Sequence, residues 1–159
     1  MRVTRRSLWC ALVLAAVANG PARAQTLEAP FDQAKALAEL RKSIEGQEDK
    51  PAVDVFMNIK VYKGVTADRL LRIMEFGFSR SLGVTCTHCH VAGEWDSDEK
   101  GAKDTARAMS AMVAAINNEY LKNIATLNSA NPSVNCTTCH RGQKRPALEL
   151  PAQPGEVAR

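Results

Sequence analysis

The chain has 159 residues, 24% of them charged, with 21 basic and 17 acidic side chains and a formal charge of +4. The length is that of one domain, and no run of about 18 apolar residues is present, which excludes a membrane-spanning helix. Only 5% of the residues are aromatic, so the chain's own side chains can build only a small core.

The first 24 residues read as a secretory signal. Arg2, Arg5 and Arg6 precede an apolar run of 11 residues, Leu8 to Ala18, and the small-residue triplet Ala22-Arg23-Ala24 follows. The run is too short to span a bilayer, and cleavage is expected after Ala24, leaving Gln25 as the first residue. Cys10 lies inside the run behind Trp9, where a lipid-anchor signal would need a small residue. Loss of the segment removes four arginines, which leaves 17 basic against 17 acidic residues. The positive charge of the precursor therefore carries no argument for nucleic acid as a partner. Export also implies an oxidising compartment, the periplasm.

Residues 25–52 are read as an amphipathic helix and a linker. Phe31, Ala34, Leu37, Leu40 and Ile44 recur at helical spacing with charges opposite, and the stretch from Gly46 to Pro51 breaks the pattern. Val53 to Tyr62 form an apolar stretch compatible with either extended chain or a short helix. Thr66 is then the expected N-cap of a second helix, with Leu70, Leu71, Met74 and Phe78 on one face and Gly83 as its stop. Glu94 to Gly101 read as a solvated acidic connector. Ala102 to Leu121 form a third helix with Thr105, Met109, Met112, Ile116 and Tyr120 along one side. A loop around Pro132 leads on to residue 135, and residues 147–159 form a proline-rich tail.

Two copies of Cys-x-x-Cys-His carry the chemistry: Cys86-Thr87-His88-Cys89-His90 and Cys136-Thr137-Thr138-Cys139-His140. The spacing lets two thiols bond to the vinyl groups of one haem and gives the next imidazole to the iron. The competing reading is a zinc ribbon, but 46 residues separate Cys89 from Cys136, against roughly 15 to 20 between the pairs of a ribbon. Apart from Cys10, no cysteine is left over for a disulfide or a nucleophile. The cofactors expected are two covalently bound haem c groups, held by Cys86, Cys89, Cys136 and Cys139, with His90 and His140 as axial ligands. Buried porphyrins would supply the apolar volume that the composition lacks.

The opposite axial positions need a second donor. His88 is the one spare imidazole of the 3 in the chain, and its place inside the first motif keeps it off the distal face, so two bis-histidine irons are excluded. Methionine remains, and a methionine on a helix face is ordinarily a core residue. Two irons without a sixth ligand, each preceded by a helix with methionine on its inner face, reverse that reading. Met74 is the choice on its helix. Met109 and Met112, three apart on the next helix, both face one way.

With these segments in view, the chain resembles the photosynthetic reaction-centre cytochrome c subunit family and its small relatives. The resemblance rests on Asn58-Ile59-Lys60-Val61, Ile73-Met74, Gly83-Val84-Thr85-Cys86, and the second set from Ala106 through Met112, Ile116-Asn117 and Cys136 to Gly142. It implies a methionine ligand on each preceding helix, and it selects Met109 over Met112. It further implies a mainly α fold built from repeated helix, turn and Cys-x-x-Cys-His units over residues 53–146.

The expected function is a periplasmic dihaem cytochrome that passes single electrons, not an enzyme. Its partners would be redox proteins, by resemblance a membrane-bound photosynthetic reaction centre or else a respiratory complex. The competing classes are a haem enzyme such as a dihaem peroxidase, which needs an open sixth position and a polar distal group, and a gas-binding module, in which one methionine dissociates to admit the ligand. Docking is expected on a negative face formed by Glu94, Asp96, Asp98 and Glu99, with the basic Arg141 to Arg145 segment as the alternative.

Overall fold

Asp32 caps the first helix by accepting from the backbone N–H of Lys35 at 2.9 Å, and α1 then runs Gln33–Ser43. In the computed structural model, which describes residues 30–149, its inward face carries Ala36, Leu37 and Ile44, while Ala34 is exposed. The expected stripe is thus correct except at Ala34. The expected signal segment, the cleavage site expected after residue 24 and the prolines at 151 and 154 lie outside the described residues.

The stretch from Val53 to Tyr62 proves to be neither strand nor full helix. One helical turn, α2 (Ala52–Val55), opens a loop whose two ends are pinned together. Pro51 pairs with Thr66, the Ala52 N–H donates to the Val65 carbonyl at 2.8 Å, and the Ala67 N–H donates to the Lys50 carbonyl at 2.9 Å. Closed at its base in this way, the loop is an Ω-type excursion. It turns at Asn58 and Tyr62, both with φ of 59°, a region that costs non-glycine residues energy and must be held by neighbours. The Asn58 amide donates to the Asp96 carbonyl and to Asp98, and the Tyr62 hydroxyl bonds Ser110 at 3.1 Å.

Thr66 is the N-cap expected for the second helix, its hydroxyl accepting from the Arg69 N–H. That helix, α3 (Ala67–Arg72), continues as a π-helical segment, Ile73–Arg80. Its turns are wider than 3.6 residues, which the hydrophobic period does not reveal, and such segments recur at functional sites. Ile44, Ala67 and Leu71 form the centre of the core, with Leu40, Val55 and Phe56 packed against them. Gly83 ends the run with φ of 66°.

The third helix, α4 (Ala102–Ala115), also changes to a π-helical segment, Ile116–Tyr120, before a short 3-10 turn, Leu121–Asn123. The second motif is itself helical, α5 (Cys136–His140), and opens with a capping box between Asn135 and Thr138. The described residues are thus mainly helical and contain two isolated β-bridges but no strand. Burial is uneven: every fully buried side chain among them lies at or before Ser81. No helix among them is long and apolar enough to cross a membrane.

Candidate haem site

Cys86–His88 form a 3-10 turn, and the chain stays folded on itself because the His90 N–H donates to the Cys86 carbonyl at 3.0 Å. Gln33 of α1 ties this turn to the preceding helix. Its side-chain oxygen accepts from the Cys86 N–H at 3.1 Å, and its amide nitrogen donates to the Ser79 hydroxyl at 3.0 Å. Composition gives no signal for this role, since Gln33 sits on an otherwise ordinary amphipathic helix.

Beyond His90 the chain reverses through Gly93, whose φ is 83°, with Val91 paired to Glu94. The reversal brings the Trp95 carbonyl to 2.7 Å from His90 Nδ1. A carbonyl only accepts, so Nδ1 carries the proton and Nε2 keeps its lone pair, the arrangement that suits a metal-ligating imidazole. Burial, foremost, and the nearby Lys103, Arg107 and Lys100 charges lower the His90 pKa, against the opposing pull of the Trp95 carbonyl, so the ring is neutral near pH 7. The second motif repeats the device with a different turn. Arg141 and Gly142 are both left-handed, with φ of 51° and 82°, and they return the Gln143 carbonyl to 3.0 Å from His140 Nδ1.

Cys86, Cys89, His90 and Met74 line a single cleft, walled by Ile59, Val61, Leu70, Phe78 and Trp95. Two thiols, an imidazole with a free Nε2 and a thioether around one largely apolar cleft fit the needs of a covalently held haem. Burial, the main cause, raises the pKa of the Cys86, Cys89 and Cys136 thiols. Met57 sits at the rim and is 76% exposed.

The second set is less enclosed. Cys139 is exposed, Met109 and Met112 are 37% and 45% exposed, and none of these lines the first cleft. The face that α4 turns to the first cleft consists of Lys103, Ala106 and Arg107, not of the methionine stripe. One element of the first unit does recur. Ser79, in the first π-helical segment, donates to the Val84 carbonyl, and Asn117, in the second, donates to the Val134 carbonyl at 2.9 Å. Each of those valines stands two residues before the first cysteine of its motif. Asn117 also accepts from the Val134 N–H at 2.7 Å.

The acidic loop is exposed, as expected of a solvated connector, but one of its carboxylates is tied down. Asp98 bonds Lys60 at 2.6 Å, Arg107 at 2.7 Å and the Asn58 amide at 2.9 Å, with Lys103 at 3.5 Å. A free negative face beside the first motif therefore reduces to Glu94, Asp96 and Glu99, all exposed. Arg107 first, then Lys60, holds the Asp98 carboxyl well below the usual carboxylate range. A depressed folded pKa stabilises the fold above the unfolded value of about 4 and loses that contribution as the pH falls toward the folded one. Asp98→Asn should lower the melting temperature at pH 7, and the gap to the unaltered protein should narrow steadily below about pH 4. A gap independent of pH would mean that the carboxylate charge is not what the cluster uses.

A family model described as photosynthetic reaction centre cytochrome C subunit matches residues 17–156, which include both motifs, both methionine helices and both valine-clasping segments. The chain belongs to that family. Among its relatives are the photosynthetic reaction center cytochrome c subunits of Thermochromatium tepidum, 32% identical over 107 residues, and of Roseobacter denitrificans, 31% over 101. These alignments take in 65% and 60% of this chain but 25% and 26% of the relatives. Cytochrome c-554 of Chloroflexus aurantiacus is 33% identical over 84 residues, or 53% of this chain and 20% of the relative. The chain thus spans about a fifth to a quarter of the length of these relatives.

Proposed function

We propose that this family member is a periplasmic dihaem c-type cytochrome that passes single electrons to or from a membrane-bound redox complex, by family a photosynthetic reaction centre. The carrying observation is the first cleft, where thiol, imidazole and thioether donors stand around apolar walls. Cys86 and Cys89 would anchor the first haem, with His90 and Met74 as its axial ligands. Cys136 and Cys139 would anchor the second, with His140 and Met109. When bound, haem supplies an Fe(III)/Fe(II) couple, which methionine opposite histidine holds at a higher potential than two imidazoles would.

The chain's own groups do the rest. The Trp95 and Gln143 carbonyls fix the ring orientation of His90 and His140. Ile59, Val61, Leu70 and Phe78 give the first site apolar walls, and with less water to compete for the iron a thioether, a weak donor, would hold its place better than in a wet site. Catalysis gains no support from the residues present, since the first cleft's lining offers no histidine besides His90 and electron transfer needs no acid or base. Export rests on Arg2, Arg5, Arg6 and the apolar run to Ala18.

Haem would also contribute binding energy that only the folded chain collects, which suits a domain whose buried side chains all lie in its first half. The test is mass. The purified mature protein should weigh the chain from Gln25 plus two haems, and both haems should survive acid-acetone extraction. A single haem, or bound zinc, would defeat the proposal.

A further inference from the structure

The Trp95 carbonyl accepts two donors. His90 Nδ1 reaches it at 2.7 Å and the Lys103 ammonium at 3.0 Å. Lys103 is fixed there: it also donates to the Ser97 carbonyl at 2.8 Å, lies 3.5 Å from Asp98, and its side chain is only 12% exposed. The Gln143 carbonyl has a different situation. It accepts from His140 Nδ1, and among the described residues no side-chain cation bonds it. The two histidines, alike in motif, therefore donate to carbonyls of different strength.

A carbonyl oxygen has two lone pairs but one pool of electron density. An ammonium on one lone pair draws density from the other, and the effect is larger for a charged donor than for a neutral one. The proton on His90 Nδ1 is then held less firmly by Trp95, the ring takes on less imidazolate character, and Nε2 becomes a weaker donor. Hydrogen bonding to the far nitrogen is a recognised means of tuning a bound metal.

We propose that Lys103 is a positioning residue that shares the Trp95 carbonyl with His90, weakens the histidine's electron donation to iron, and so raises the reduction potential of the first haem. This rests on the haem reading above. The couple concerned is Fe(III) taking one electron from a reducing redox protein, or from an electrode, to give Fe(II). No proton leaves His90 in either state.

The test uses the holoprotein with Lys103→Met, Lys103→Gln and Lys103→Arg, and with Lys60→Met as the control. Lys60 also lines the cleft and also pairs with Asp98, but it does not bond Trp95. Two quantities are read: the potential of each haem by spectroelectrochemistry, and the His90 ring N–H resonance in the reduced protein. Lys103→Met should weaken the first haem's affinity for the electron about fivefold, the worth of one modest hydrogen bond, and leave the second haem unchanged. It should also move the His90 N–H signal toward a stronger hydrogen bond. Lys103→Arg should restore both, and Lys103→Gln, a neutral donor that also stands in should the Met variant fail to mature, should fall between.

Lys60→Met should leave the His90 signal where it is, whatever its electrostatic effect on potential. The inference is overturned if the His90 signal is unmoved in the Met or Gln variant, or if Lys60→Met moves it equally. Failure of the haem reading looks different, because the mass would then lack two haems or the His90 ring would show no paramagnetic shift in the oxidised protein.

Discussion

Gly83→Ala should destabilise the folded holoprotein by about 3 kcal/mol or more, a large fraction of a typical domain's stability. Two costs add. Gly83 has φ of 66°, and an L-residue in the left-handed region loses about 1 to 2 kcal/mol. A β-carbon there would also collide with the Gly142 carbonyl oxygen and lie 3.0 Å from its carbon. Overpacking typically costs about 1 to 3 kcal/mol, and here the obstacle is backbone, which cannot rotate away.

The colliding backbone is held from both sides. The Gly142 N–H donates to the Ser81 carbonyl at 2.9 Å, and the Ser81 hydroxyl bonds Thr137 at 2.6 Å. The end of the methionine helix before the first motif is thereby clamped to the second motif. Gly46→Ala provides the comparison, since Gly46 has φ of 76° but nothing within 4 Å of a new β-carbon. Its loss should be the conformational cost alone, about 1 to 2 kcal/mol. Denaturant titration of both variants reads the difference, and equal losses would show that the Gly83–Gly142 approach is not rigid.

The close approach of Gly83 to Gly142 joins residues 59 positions apart, and its invisibility in the sequence is instructive. Gly83 is legible as a helix stop because a 3.6-residue pattern ends there. What it touches depends on tertiary closure. The same division runs through the chain. Thr66 capping α3, the inward face of α1 and the extent of the third helix follow from local pattern and capping chemistry. The π-helical segments do not, because their period is close enough to 3.6 to pass for α-helix over a few residues.

The acidic loop is legible only in part, for a related reason. Counting charges marks it as solvated, yet Asp98 is neutralised by Lys60, which is 38 residues away in sequence, and by cations of α4. Lys103 and Arg107 line the cleft although neither belongs to the methionine stripe of their helix. Their apolar stems tolerate such a position while their charged ends find partners. The two Cys-x-x-Cys-His segments, by contrast, are legible because the motif fixes residue type and spacing within five positions, and Cys86, Cys89 and His90 of the first line one cleft with Met74.

The proposed distal ligation predicts the largest spectroscopic change. Met74 lines the same cleft as Cys86, Cys89 and His90, so Met74→Leu removes the thioether sulfur facing that site and replaces it with a hydrocarbon of similar volume. Stability should change by less than about 1.5 kcal/mol, while one haem of the pair turns high-spin or takes a substitute ligand and loses its methionine-to-iron charge-transfer band. Its potential should fall if an imidazole is the substitute, because thioether favours the reduced iron more than a second histidine does. Met109→Leu should do the same to the other haem. Met57→Leu should leave both spectra low-spin, since Met57 is 76% exposed at the rim. Met112→Leu decides the register: Met109 and Met112 are both partly exposed on α4, at 37% and 45%, and packing alone does not choose between them. If Met112→Leu alters the second haem and Met109→Leu does not, the second iron is bound three residues further along the helix, and the unit formed by α4 and α5 departs from the family pattern that selects Met109.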